Sequence, residues 1–190
     1  AQGQKRLSES SVLLVNADGV GTETLKNLVL PGVGKITVLD ENEVAMKDLG
    51  SNFFFTVDSV GQPRAGVATQ YLCELNPDVI GEAVQGHLMD YVNNASFLQS
   101  FNIVVTANLS DDVLLPLATT LERLNIPLVA TRAYGLIGVV RLQYNNHEVI
   151  ESKPDASKPD LRIHSPWPEL VAYIEEFDLD SMASHAHGHV

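Results

Sequence analysis

One apolar run that breaks into small and polar residues, Val12-Leu13-Leu14-Val15-Asn16-Ala17-Asp18-Gly19-Val20-Gly21, constrains this chain more than any other segment. It reads as a buried strand turning directly into a helix, the junction where a phosphate-binding α/β sheet carries G-x-G-x-x-G. Here the first and third positions hold Asn16 and Asp18, while Gly19 and Gly21 remain. The first glycine of that pattern permits the tight turn, and the second lets a pyrophosphate approach the backbone at the positive end of the helix. Asp18 puts a carboxylate where the anion would go. At about 4 Å, two like charges repel by roughly 1 kcal/mol in water and roughly 4 kcal/mol at an effective dielectric of 20. Asp is also a favoured N-cap, whose side chain accepts from amides such as those of Val20 or Gly21, the donors a phosphate would use. The expectation is a capped helix that fills its own anion site.

Downstream, strand and helix patterns alternate, the signature of parallel strands joined by crossover helices. Thr22 to Leu30 sets Leu25, Leu28 and Val29 on one helical face, and Pro31-Gly32 stops it. Lys35 to Leu39 is a second strand ending at Asp40, about 20 residues past the loop, where a Rossmann-type fold holds a ribose hydroxyl. A strand-end Asp is also a common turn residue. Val60 to Leu75 reads as a helix entered through Gly61-Gln62-Pro63 and ended by Asn76-Pro77. Val79 to Val84 gives a third strand, weakened by Gly81. A helical or irregular stretch around Asp90 to Gln99 then leads to the core strand Ile103-Val104-Val105-Thr106. Ser110 or Asp111 caps a helix running to Leu124, with Pro116 in about its first turn. After a buried strand at Ile126 to Thr131, Leu136 to Gln143 and Glu148 to Glu151 read as an antiparallel hairpin around Asn145-Asn146-His147. The expected fold is a Rossmann-like, three-layer α/β domain over residues 1–152, with a mostly parallel sheet and an antiparallel edge. Residues 153–190 read as a linker and a short amphipathic helix opening at Trp167-Pro168 and ending near Phe177.

The net charge of −12 argues against nucleic acid, because the 12 Lys and Arg form no basic stripe. A single cysteine, Cys73, leaves no internal disulfide and fits a reducing compartment. Its helical spacing within Ala68 to Leu75 marks a packed thiol rather than a nucleophile. No apolar run approaches the ~18 residues of a membrane span, so a soluble intracellular protein is expected. No metal site is expected either, because the terminal Ser184-His185-Ala186-His187-Gly188-His189 lacks the neighbouring thiolates or carboxylates of a closed site. Three consecutive aromatics, Phe53, Phe54 and Phe55, suit neither an amphipathic strand nor a solvated loop. At least two belong in the fold or against a partner, and burial in the fold is favoured.

The run Gly21-Thr22-Glu23-Thr24-Leu25-Lys26-Asn27-Leu28-Val29-Leu30-Pro31-Gly32-Val33-Gly34-Lys35-Ile36-Thr37-Val38-Leu39-Asp40 resembles the adenylation domain of ubiquitin-like-modifier-activating enzymes and of their bacterial relatives ThiF and MoeB. Asn52-Phe53-Phe54, Arg132-Ala133-Tyr134-Gly135-Leu136-Ile137-Gly138, Val149-Ile150-Glu151-Ser152 and Asp160-Leu161-Arg162 narrow it. Together they are similar to the regulatory subunits of neddylation activating enzymes, the amyloid-precursor-binding-protein type. The resemblance runs over nearly the whole chain.

Active members of that family use ATP and magnesium to adenylate the C-terminal glycine of a ubiquitin-like protein, chemistry that needs positive charge and a metal-holding carboxylate. By resemblance, the family's asparagine–arginine pair falls on Gly50 and Ser51, and its lysine falls on Arg64. Its metal-binding aspartate falls near Leu109, with Asp111 two residues away. The resemblance therefore implies a pseudo-adenylation domain. Asn16, Asp18, Gly19, Gly21, Asp40 and Arg64 are the remains of its nucleotide site, with no catalytic residue, no metal and no cofactor of its own. ATP and magnesium would be bound by a catalytic partner subunit, in a heterodimer that activates a Nedd-type (Rub) modifier in cytoplasm and nucleus. The thioester-forming cysteine belongs to that partner, so Cys73 inherits no such role. Phe53, Phe54, Phe55, Tyr134 and Gly135 are candidates for the subunit interface. Two other readings remain: an autonomous adenylating enzyme in which Asp40 and Arg64 still serve, and the equivalent subunit of the sumoylation enzyme. The first residues, Ala1 to Arg6, fall just after the family's arginine-bearing leading helix, and the chain stops before its helical insertion. A fragment of a longer protein is expected.

Overall fold

A computed structural model describes residues 2–147 and 166–176. The chain divides into two units, 1–147 and 148–190, and the second is described only over 166–176. The boundary expected at residue 152, and the histidine-bearing end, lie outside the described residues.

In the first unit a short α1 (Gln2–Ser8) leads to β1 (Ser11–Val15), α2 (Gly19–Val29) and β2 (Lys35–Asp40). Two 3₁₀ turns, Met46–Gly50 and Val57–Ser59, precede α3 (Arg64–Leu75) and β3 (Ile80–Gln85). Short α4 (Leu88–Val92) and α5 (Ala95–Leu98) are followed by β4 (Ile103–Ala107), α6 (Asp111–Leu124), β5 (Leu128–Tyr134) and β6 (Ile137–Gln143). The six strands form one sheet in the order β3-β2-β1-β4-β5-β6, parallel except for the β5–β6 pair. This is the mostly parallel α/β sheet with an antiparallel edge that the alternating pattern predicts.

The period-two alternation of β1 divides its side chains between two cores. Val12 and Leu14 pack with Leu25 and Val29 of α2 and with Ala68 and Leu72 of α3. Leu13 and Val15 pack on the opposite face with Leu117 and Leu121 of α6. A strand covered on both faces can be apolar throughout, which is why β1 reads as an unbroken run. Each fully buried leucine contributes about 1.5–3 kcal/mol of transfer free energy, set against the chain entropy lost on folding.

Two expectations need correction, and one turn was not foreseen. The helix placed from Val60 starts at Arg64: Gly61 has φ 83°, Pro63 is the N-cap, and Pro63 bridges Glu43. Pro63 supplies no amide to a helix, so it punctuates the start rather than lying inside. Pro116 lies in the second turn of α6, because the helix begins at Asp111 after the N-cap Ser110. The unforeseen turn joins β5 to β6, which pair in register from Leu128↔Gln143 to Tyr134↔Ile137. The turn is Gly135-Leu136, with Gly135 at φ 59°, and a glycine in the first turn position is what such a two-residue hairpin demands. Glu148 to Glu151, the strand partner expected for β6, lies outside the described residues.

Gly81 in edge strand β3 has a packing cause. A Cβ there would fall 2.2 Å from Cys73 Sγ and 2.8 Å from Thr69 Cγ2, so the glycine lets α3 settle on the sheet. In the second unit, α7 (Pro168–Glu175) begins with Pro168 behind the N-cap Trp167, as the sequence predicts. Among the described residues no helix is long and apolar enough to cross a membrane.

Candidate functional site

Strand order reverses between β1 and β4, and in open α/β sheets ligands sit in the crevice outside the carboxyl ends of such a pair. Both strand ends here finish on an asparagine in the left-handed region, Asn16 at φ 71° and Asn108 at φ 50°. Asparagine tolerates that conformation better than other non-glycine residues, so Asn16 makes the turn that the missing glycine would make. Its Nδ2 then donates to the Ala107 carbonyl at 2.6 Å, sealing the two strand ends together.

Asp18 caps α2 by accepting from the Gly21 amide at 2.8 Å on Oδ1. Its Oδ2 accepts from Asn108 Nδ2, so both carboxylate oxygens are engaged. The two surviving glycines are required by contacts within the protein. A Cβ on Gly19 would fall 2.1 Å from the Ser51 carbonyl oxygen, and one on Gly21 would fall 2.8 Å from Leu14 Cδ1 and 2.9 Å from the Asn16 carbonyl oxygen. Where the resemblance places an arginine, Ser51 presents its backbone oxygen to the start of α2. Gly50 beside it is exposed.

The loop around Ser51 is fixed by Asn52, a buried residue that sequence reasoning noted only as a flank of the phenylalanines. Its Nδ2 donates to the Ala17 carbonyl at 3.2 Å, and its Oδ1 accepts from the Phe54 amide at 3.0 Å. Phe54 and Phe55 are 4% and 5% exposed and Phe53 is 76% exposed. Two of the three are thus buried within the fold. The core already covers Phe54 and Phe55, so of the three only Phe53 offers its ring to an interface. Of the other candidates, Tyr134 is exposed and Gly135 begins the exposed hairpin turn.

Asp40 and Arg64 come together beneath the loop. Asp40 is 1% exposed, and its Oδ2 accepts from the Ala17 amide at 2.7 Å while its Oδ1 accepts from the Asn42 amide at 2.8 Å. Arg64, 8% exposed, holds Nε 3.5 Å from Asp40 Oδ2, an ion pair without a directed hydrogen bond. The carboxylate is therefore committed to the protein's own backbone and to Arg64.

Leu109, where the resemblance puts the metal carboxylate, is buried in the core under α6. Its neighbour Asp111 is paired with Arg132, whose guanidinium also donates to the Leu109 carbonyl at 3.0 Å. The hydrogen bond that Arg132 donates to the Asp111 carboxylate holds its guanidinium above its usual range. Burial pushes the Cys73 thiol up, as expected of a packed thiol. Among the described residues no three His, Cys, Asp or Glu side chains group as metal ligands.

Known proteins place this architecture. The chain is 45% identical to the "NEDD8-activating enzyme E1 regulatory subunit" of Gallus gallus, over 98% of this chain and 35% of that protein. It is 41% identical to the "NEDD8-activating enzyme E1 regulatory subunit AXR1" of Arabidopsis thaliana, over 99% of this chain and 35% of that one. With the Caenorhabditis elegans "NEDD8-activating enzyme E1 regulatory subunit" the identity is 34%, over 95% and 34%. The chain thus spans about a third of the length of these relatives. The ThiF family pattern matches residues 1–178, through every strand of the sheet and past α7, and this chain belongs to the ThiF family.

Proposed function

We propose that this chain is the adenylation-type domain of a regulatory subunit of a NEDD8-activating enzyme, working as a structural half that binds no nucleotide. A catalytic subunit beside it would bind ATP and magnesium and activate the Nedd-type modifier. The observation that carries this reading is the carboxylate of Asp18, which takes the Gly21 amide and Asn108 Nδ2 at the end of α2. A triphosphate in the pose this fold gives it would meet that carboxylate, the Ser51 carbonyl oxygen in place of an arginine, and buried Leu109 in place of a metal ligand. These residues do not fit magnesium and ATP. Adenylyl transfer depends on electrostatic stabilisation of the phosphates, and three of its parts are replaced together.

Similarity to relatives named as NEDD8-enzyme regulatory subunits favours the neddylation pathway over the sumoylation one. The autonomous-enzyme reading is weakened by Asp40, whose carboxylate is spent on Ala17, Asn42 and Arg64. Calorimetric titration with ATP and magnesium tests the proposal. No binding is expected to this chain alone, and binding is expected when the catalytic subunit is present. Micromolar binding by the chain alone would overturn it.

A further inference from the structure

Asn108 links the start of α2 to the end of β5 through the two ends of one side chain. One end of its amide, Nδ2, donates to Asp18 Oδ2 at the start of α2. The other end, Oδ1, accepts from the Ala133 amide at 2.7 Å, and the Asn108 backbone amide donates to the Thr131 carbonyl at 2.9 Å. Ala133 and Tyr134 are the last residues of β5 before the turn that exposes Tyr134, Leu136 and Ile137. An asparagine amide has one acceptor end and one donor end, so what satisfies its nitrogen fixes where its oxygen points. Asp18 is the partner of that nitrogen. Its second oxygen is redundant for capping, because Oδ1 alone serves the Gly21 amide.

We propose that Asp18 is a positioning residue for the β5–β6 hairpin, acting through Asn108, so that the emptied nucleotide site has become a clasp holding the turn that carries exposed Tyr134, Leu136 and Ile137. The carboxylate does two jobs with its two oxygens: one caps α2, and the other aims Asn108 at Ala133. Asn16 supports the clasp by tying β1 to the end of β4 through the Ala107 carbonyl, one residue before Asn108. The β1–α2 loop thereby links the first half of the sheet to its antiparallel edge. The clasp lies wholly within this chain, so its test is independent of whether a catalytic subunit pairs with it.

Residue-resolved amide hydrogen exchange on the 190-residue chain separates the clasp from the cap. Asp18→Ser keeps one oxygen to cap Gly21 and loses the one that holds Asn108. Asn108→Asp keeps an acceptor for Ala133 and loses the amide that binds Asp18. In both variants we expect protection at the Ala133 amide to fall roughly five- to tenfold, the value of one net hydrogen bond, while Gly21 in Asp18→Ser stays close to wild type. Wild-type protection at Ala133 in both variants would overturn the clasp. A loss at Gly21 as large as that at Ala133 in Asp18→Ser would also overturn it, because the carboxylate would then be a cap alone.

Discussion

Gly19 packs directly against the Ser51 backbone: a Cβ on Gly19 would fall 2.1 Å from the Ser51 carbonyl oxygen and 3.1 Å from its carbonyl carbon. Both atoms are backbone, so a side chain cannot rotate out of the way. Gly19→Ala is therefore expected to destabilise the domain by about 1–3 kcal/mol, the usual cost of forcing atoms into a packed region. The loss would appear as a lower urea midpoint at unchanged slope. A midpoint equal to wild type would mean that the Ser51 loop yields freely, and that Gly19 is not held by this contact.

The β1–α2 junction was legible in the sequence because its signals are local. The buried run, the favoured cap residue and the spacing from Asp18 to Gly21 lie within one segment, and the predicted capping bond is present at 2.8 Å. The β5–β6 turn went unread because Gly135-Leu136 offers a single glycine between apolar residues, a weaker signal than the polar Asn145-Asn146-His147 farther on. Asn52 and Asn108 could not be read from their neighbours. Their partners lie 35 and 90 residues away, a distance at which propensity and periodicity carry nothing. One hint existed: Asn108 follows β4 as Asn16 follows β1, and both strands end at the switch point.

Asp40→Ala is expected to cost about 3–5 kcal/mol, because it leaves the buried Arg64 guanidinium without its counter-charge. Asp40→Leu combined with Arg64→Met removes both charges. That pair should recover most of the loss yet remain about 1–3 kcal/mol below wild type, since the Ala17 amide still lacks its acceptor. Chemical denaturation of Asp40→Leu, Arg64→Met and the double variant measures the coupling. Additive losses would show that Asp40 and Arg64 do not act as a pair.

Cys73 and Gly81 are coupled by the close approach of Sγ to the glycine. Gly81→Ala should destabilise by about 1–3 kcal/mol, and adding Cys73→Ala should relieve much of that, giving a clear non-additivity. The thiol also links stability to pH. Its folded pKa is raised by burial above the ordinary thiol value of 9.0, so the unfolded chain releases the proton first. The thiol's stabilising contribution is whole below pH 9.0 and is lost as pH rises through the folded value. Melting temperatures of wild type and Cys73→Ala across alkaline pH should therefore diverge above pH 9.0 and run parallel below it.

Phe53 and Phe54 stand edge to face with centroids 5.4 Å apart, one outside the core and one within it. Lys26 Nζ lies 5.6 Å from the Phe53 ring centroid, a cation–π contact worth about 0.5–1 kcal/mol at an exposed site. Phe54→Ala empties a buried position and should cost about 3–5 kcal/mol. Phe53→Ala should cost about 1 kcal/mol or less in the isolated chain, because little apolar area leaves the interior. If Phe53 faces the catalytic subunit, its removal should instead weaken pairing by about 2 kcal/mol, near thirtyfold in Kd, the scale of an interfacial aromatic anchor. Denaturation of the chain alone, set beside titration of the catalytic subunit, separates the two effects. An unchanged Kd for Phe53→Ala would remove Phe53 from the interface and leave the exposed hairpin turn at Tyr134 and Gly135 as the surface to probe.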